Sequence, residues 1–81
     1  MEESINEKRI HNQINAILEK IIYRRKRLGL SQTDVAKKLK ITLSGYYKVE
    51  TGKTKLDIMR LIEISEVLNV KLDYFLKDEN N

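Results

Sequence analysis

The stretch that decides the fold is Gly29-Leu30-Ser31-Gln32-Thr33-Asp34-Val35-Ala36-Lys37-Lys38-Leu39-Lys40-Ile41-Thr42-Leu43-Ser44-Gly45-Tyr46-Tyr47-Lys48-Val49-Glu50-Thr51-Gly52. It holds two N-cap signals. Ser31 can close the start of a short helix carrying Val35, Ala36 and Leu39, and Thr42 can open a second with Tyr46 and Val49 facing inward. Gly52 stops that second helix. Lys40, Ile41 and Thr42 are too short a link for a side-by-side hairpin, so the two helices must cross steeply. The inward set is Val35, Ala36, Leu39, Ile41, Tyr46 and Val49, and Ala36 is small where the backbones approach most closely. A short capped helix standing clear of its neighbour has the dimensions of a DNA major groove.

Working outward, helical periodicity continues on both sides. Ile10, Ile14, Ile17, Leu18, Ile21 and Leu28 recur at spacings of three and four and predict one apolar stripe on a long first helix. Ser4 with Glu7 can cap that helix early, Asn12 can start it later, and Gly29 ends it. Asp57 can cap a fourth helix with Ile58, Leu61, Ile62, Ile64 and Leu68, which Asn69 terminates in the left-handed conformation that asparagine tolerates. Leu72, Phe75 and Leu76 mark a last short helix. No segment alternates with period two, so the expected class is all-α, in five helices. Residues 1–13 extend the first helix, 14–77 form the domain, and 78–81 fray.

Composition narrows the chemistry. The chain has 81 residues, 41% apolar and 35% charged, which suits one small domain with an ionic surface. It has no cysteine and a single histidine, His11. That removes disulfides, thiolate chemistry and imidazole-based metal sites, so no cofactor, metal or catalytic residue is expected. No apolar run spans a bilayer and the first residues lack a signal peptide's pattern, so the expectation is a soluble, cytoplasmic chain that is not an enzyme. From Arg24 to Lys55 there are ten Lys/Arg and two acidic residues, +8 in a chain of net +4. Such a basic middle third suits a polyanion. Gly52-Lys53-Thr54 echoes the end of a phosphate-binding loop, but Tyr47 stands where the first glycine would be and no strand precedes it.

The residues quoted above, with Ile41-Thr42, Tyr46-Tyr47-Lys48-Val49-Glu50-Thr51-Gly52-Lys53 and the tail Leu68-Asn69-Val70-Lys71-Leu72-Asp73-Tyr74-Phe75-Leu76, resemble the Cro/C1-type helix-turn-helix family, the lambda-repressor-like or xenobiotic-response-element group. The resemblance runs from about residue 17 to 76. It implies a five-helix DNA-binding domain with the helix-turn-helix at its second and third helices, acting as a homodimer on a palindromic double-stranded operator. It further implies a transcriptional regulator of the phage or mobile-element repressor type, or an autoregulating antitoxin with a toxin partner. An arginine–glutamate pair at the matching positions, Arg25 and Glu50, is also implied. Two departures stand out: Lys40 occupies a turn position where the family prefers glycine, and Lys71 stands where a serine-type cap is usual.

On this reading the exposed face of the third helix carries the base-reading set Thr42, Leu43, Ser44, Tyr47 and Lys48. Lysine donates to guanine, serine suits either partner type, and leucine packs on a thymine methyl. Gln32, Lys53 and Lys55 are the phosphate candidates. Gly45 lets the helix approach DNA closely. Leu72, Tyr74 and Phe75 are the expected dimer contact. The alternative is a protein-interaction module that keeps the fold and docks an acidic partner through its basic face, for which Leu43 and Tyr47 are the suggestive residues.

Overall fold

The computed structural model describes residues 5–77. Ser4, expected to cap the first helix, and the expected frayed end at 78–81 lie outside them. Five helices follow one another: α1 (Glu7–Arg27), α2 (Gln32–Leu39), α3 (Leu43–Glu50), α4 (Ile58–Leu68) and α5 (Leu72–Leu76). No strand occurs among the described residues.

Each boundary has a local cause. Asn6, rather than Ser4 or Asn12, opens α1: its side-chain oxygen accepts the Arg9 N–H at 3.0 Å. Ser31 and Asp34 close a reciprocal capping box on α2, with Ser31 Oγ accepting from the Asp34 N–H and the Asp34 carboxylate from the Ser31 N–H. Those bonds hold the Asp34 carboxyl below its ordinary range. Thr42 caps α3 by accepting from the Gly45 N–H at 2.9 Å. A Cβ at position 45 would sit 3.1 Å from that threonine oxygen, so Gly45 serves the cap as well as any approach to a ligand. Asp57 caps α4, while Lys71 offers α5 no side-chain bond.

Lys40 ends α2 at φ +61°, a left-handed conformation that costs an L-residue with a Cβ. Lys40→Gly is therefore expected to stabilise the fold by about 0.5–1 kcal/mol, since the strain relieved exceeds the added chain entropy. A urea midpoint that does not rise would show that the turn carries no such strain.

The core joins all five helices through Leu18, Ile21, Val35, Ala36, Tyr46, Val49, Leu61, Ile64, Leu68 and Phe75. One expectation is corrected here. The apolar stripe of α1 is buried only in part: Leu18 and Ile21 are covered, Ile17 is half-buried, and Ile10, Ile14 and Leu28 are exposed. A 21-residue helix is about 31 Å long, more than the short helices beside it can cover, so residues 7–16 stand exposed as an arm. On α4, Ile58 and Ile62 likewise face outward while Leu61, Ile64 and Leu68 face the core.

Two basic side chains of α1 close the far ends of the later helices. Arg24 Nε donates to the Leu68 carbonyl at 3.0 Å and Nη2 to that of Asn69 at 3.5 Å. Lys20 Nζ donates to the carbonyls of Tyr74 and Lys77. These cations satisfy C-terminal carbonyls that no intrahelical donor reaches.

Candidate nucleic-acid interface

The position of α3 follows from what is buried behind it. Tyr46, Val49 and Glu50 face inward, and the opposite side exposes Leu43, Ser44, Tyr47 and Lys48. Helical spacing puts these outward residues on one face, with the exposed Thr42 at its N-terminal edge. The Thr42 hydroxyl oxygen is engaged in the cap.

Glu50 is the anchor. Its carboxylate accepts from Arg25 Nε at 2.5 Å and Nη2 at 3.1 Å, from the Tyr46 hydroxyl at 2.6 Å, and from Gln32 Nε2 at 2.9 Å. The Arg25 and Glu50 side chains are only 9% and 2% exposed, so the pair lies inside the protein. Arg25 Nη1 also donates to the Leu30 carbonyl at 3.0 Å. One carboxylate thus ties together α1, the first residue of α2 and two turns of α3. Burial pushes the Glu50 carboxyl up, but the bonds from Arg25, Tyr46 and Gln32 outweigh it and hold it below the usual carboxylate range. Burial, and then the bond to Glu50, push the Tyr46 hydroxyl well above the usual tyrosine range.

This network changes what some of the candidates can offer. One amide N–H of Gln32 is bound inward, which leaves its second for a ligand. The Asp34 carboxylate beside it puts a negative charge at the start of α2, which weakens that helix end as a phosphate clamp. Of the basic run at 24–27, Arg25 is buried against Glu50 and Arg24 caps α4. The exposed cations of the basic third are therefore Lys26, Arg27, Lys37, Lys38, Lys40, Lys48, Lys53 and Lys55. The +8 segment overstates the charge available to a partner.

At the C-terminal end the expected dimer contact needs correction. Phe75 is 2% exposed and packs in the core, edge-on to Tyr74 with ring centroids 5.2 Å apart. Leu72 and Tyr74 are half-buried. The apolar residues that do face outward in this region are Ile58, Met59 and Ile62 of α4 and Leu76 of α5. Period three to four cannot separate these faces, because isoleucine stands on both sides of α4, with Ile64 buried and Ile58 and Ile62 exposed.

Among the contacts that sequence reading missed is one in which Lys53 Nζ lies 5.5 Å from the centroid of the Tyr47 ring. Its signal was Gly52, which turns the chain back toward α3. Among the described residues no group of His, Cys, Asp and Glu could hold a metal ion. No helix among them is long and apolar enough to cross a membrane.

Two short helices joined by a tight turn, with the second presenting one face to solvent, define a helix-turn-helix domain. The chain belongs to the Cro/C1-type helix-turn-helix family, whose sequence profile matches residues 21–75. It is 46% identical over 57 residues to the uncharacterized HTH-type transcriptional regulator YqaE of Bacillus subtilis, covering 70% of this chain and 49% of that protein. It is 43% identical over 49 residues to YonR, an SPbeta prophage-derived HTH-type transcriptional regulator of the same organism, covering 60% and 45% of the two chains. A transcriptional regulator in the ATPase CF(0) region of Rhodospirillum rubrum is 30% identical over 69 residues, covering 85% and 64%. The chain spans about half the length of the first two relatives. No solved structure matches it closely enough to add to these. These relatives carry names of transcriptional regulators.

Proposed function

We propose that this chain binds double-stranded DNA in a sequence-specific way, with α3 in the major groove, and represses transcription from the site it occupies. The observation that carries the reading is the division of α3 into two faces. One is fastened to α1 and α2 through Glu50 and Tyr46, and the other presents Leu43, Ser44, Tyr47 and Lys48 to solvent. A base-reading helix needs both, because discrimination requires donors held in a fixed register. Thr42 completes the reading face at the start of the helix. Lys53, Lys55 and the remaining amide N–H of Gln32 anchor phosphates. The prophage origin in YonR's name favours a phage or mobile-element repressor.

The active form on this reading is a homodimer on a palindromic operator, with half-sites about one helical turn apart. One short helix reads too few base pairs to find a site alone. Leu72 and Tyr74, joined by the exposed Ile58, Met59, Ile62 and Leu76 and without Phe75, form the contact between copies.

Selection of binding sites from random duplex DNA tests the proposal. The expected product is a two-fold symmetric sequence, and Ser44→Ala or Lys48→Ala is expected to alter the preferred bases at about 1–3 kcal/mol for a good contact. Recovery of no enriched sequence would leave the docking of an acidic protein as the better account. Uniform weakening by both variants would show that the reading face lies elsewhere.

A further inference from the structure

Tyr47 belongs to α3 and Lys53 to the turn beyond it, and the turn brings them together. Thr51 ends the helix with its hydroxyl donating to the Tyr47 carbonyl at 2.7 Å and its N–H to the same oxygen at 3.0 Å. Gly52 then takes φ +74°, which a residue with a side chain adopts only with strain, and the chain doubles back. The N–H groups of Lys53 and Thr54 both donate to the Lys48 carbonyl, at 2.9 and 3.2 Å. Gly52 is also seated against the core, since a Cβ there would lie 3.3 Å from Leu18 Cδ1. The backbone of Lys53 is therefore fixed beside the last turn of α3. Its ammonium comes to rest 5.5 Å from the centre of the Tyr47 ring, within the range at which a cation is drawn to an aromatic ring.

Tyr47 is 44% exposed, on the face proposed to read bases. An exposed tyrosine on a helix has two accessible χ1 rotamers, which direct the ring to different places. A cation held at one position favours the rotamer that meets it. We propose that Lys53 is a positioning residue for base recognition: it selects the orientation in which Tyr47 meets the DNA, and so acts on sequence preference as well as on phosphates. This rests on the reading of α3 as the recognition helix. It also separates Lys53 from Lys55, which has no such contact with the reading face and acts through charge alone.

The test compares Lys53→Ala, Lys53→Arg, Tyr47→Ala, the double variant Lys53→Ala/Tyr47→Ala, and Lys55→Ala. Each is assayed on the best duplex selected by the unaltered chain and on its single-base-pair variants. Lys53→Ala is expected to change discrimination by about two- to fivefold, the scale of an exposed cation–ring contact, at the same base pairs that Tyr47→Ala affects. In the Tyr47→Ala background, Lys53→Ala should change discrimination no further. Lys53→Arg should preserve it, because a guanidinium also rests on a ring. Lys55→Ala should lower affinity for every duplex by one factor. Independently of DNA, proton NMR of the free chain should show the Lys53 ε-methylene shifted upfield by the ring, a shift lost in Tyr47→Ala. The proposal is overturned if that methylene resonates at its ordinary position, or if Lys53→Ala weakens every duplex equally. An unaltered chain that selects no sequence would remove the DNA reading, and this proposal with it, even with the NMR signature present.

Discussion

Replacing Glu50 by alanine is expected to destabilise the fold by about 3–5 kcal/mol, the cost of leaving a buried charge without its partner. The substitution orphans the Arg25 guanidinium, the Tyr46 hydroxyl and one amide N–H of Gln32 at once. Glu66→Ala, at an exposed position on α4, is expected to cost under about 0.5 kcal/mol. Urea titration of the two variants provides the comparison, and equal midpoints would show that the network contributes nothing to the fold. DNA affinity per folded molecule should change far less than stability, unless α3 shifts when its anchor is removed. The same network sets two pH limits. Glu50 titrates lower in the folded chain than in the unfolded one, so the unfolded state takes up protons first as pH falls. The stability Glu50 contributes is present above the usual carboxylate range and is lost as pH drops through its lowered pKa. Tyr46 titrates higher when folded, so its contribution is present below about pH 10 and declines as the unfolded chain ionises above it.

Affinity for duplex DNA is expected to fall steeply with salt, by about 0.9 in log affinity per tenfold in salt for each phosphate neutralised. A dimer making about six such contacts would lose on the order of a thousandfold between 50 and 200 mM. The structure specifies which cations contribute. Lys53→Ala and Lys55→Ala should each lower the slope by about one per protomer. Arg24→Gln should leave the slope unchanged, because that side chain is engaged with the C-terminal carbonyls of α4. Fluorescence anisotropy across a salt series measures these slopes. A flat dependence in the unaltered chain would exclude phosphate contacts as the source of binding, and a reduced slope in Arg24→Gln would place Arg24 on the DNA.

Much of the local structure was legible before the fold was known. Ser31, Thr42 and Asp57 cap the helices they were expected to cap, and Asn69 takes the left-handed conformation expected at the end of α4. These signals act over three or four residues, through one hydrogen bond or one backbone angle, so neighbouring letters suffice to read them. The start of α1 was misjudged on the same scale: several cap-forming residues stood near it, and Asn6 was the one that engaged.

The sequence by itself determined the helical class, the number and order of the helices, the crossing pair at α2 and α3, and which side of α3 faces the core. Periodicity and capping carry that information, because burial of an apolar stripe and closure of a helix end are local demands. Only the tertiary structure decided how far α1 runs past its neighbours, leaving Ile10 and Ile14 exposed. It alone drew Phe75 into the core, bound one amide N–H of Gln32 to Glu50 and seated Arg24 against the carbonyls of Leu68 and Asn69. It also brought the Lys53 ammonium to the Tyr47 ring. In each case the outcome depends on which side chains from distant segments meet, and a charge or an isoleucine has the same spacing in the sequence whether its partner is solvent, a carbonyl or the core.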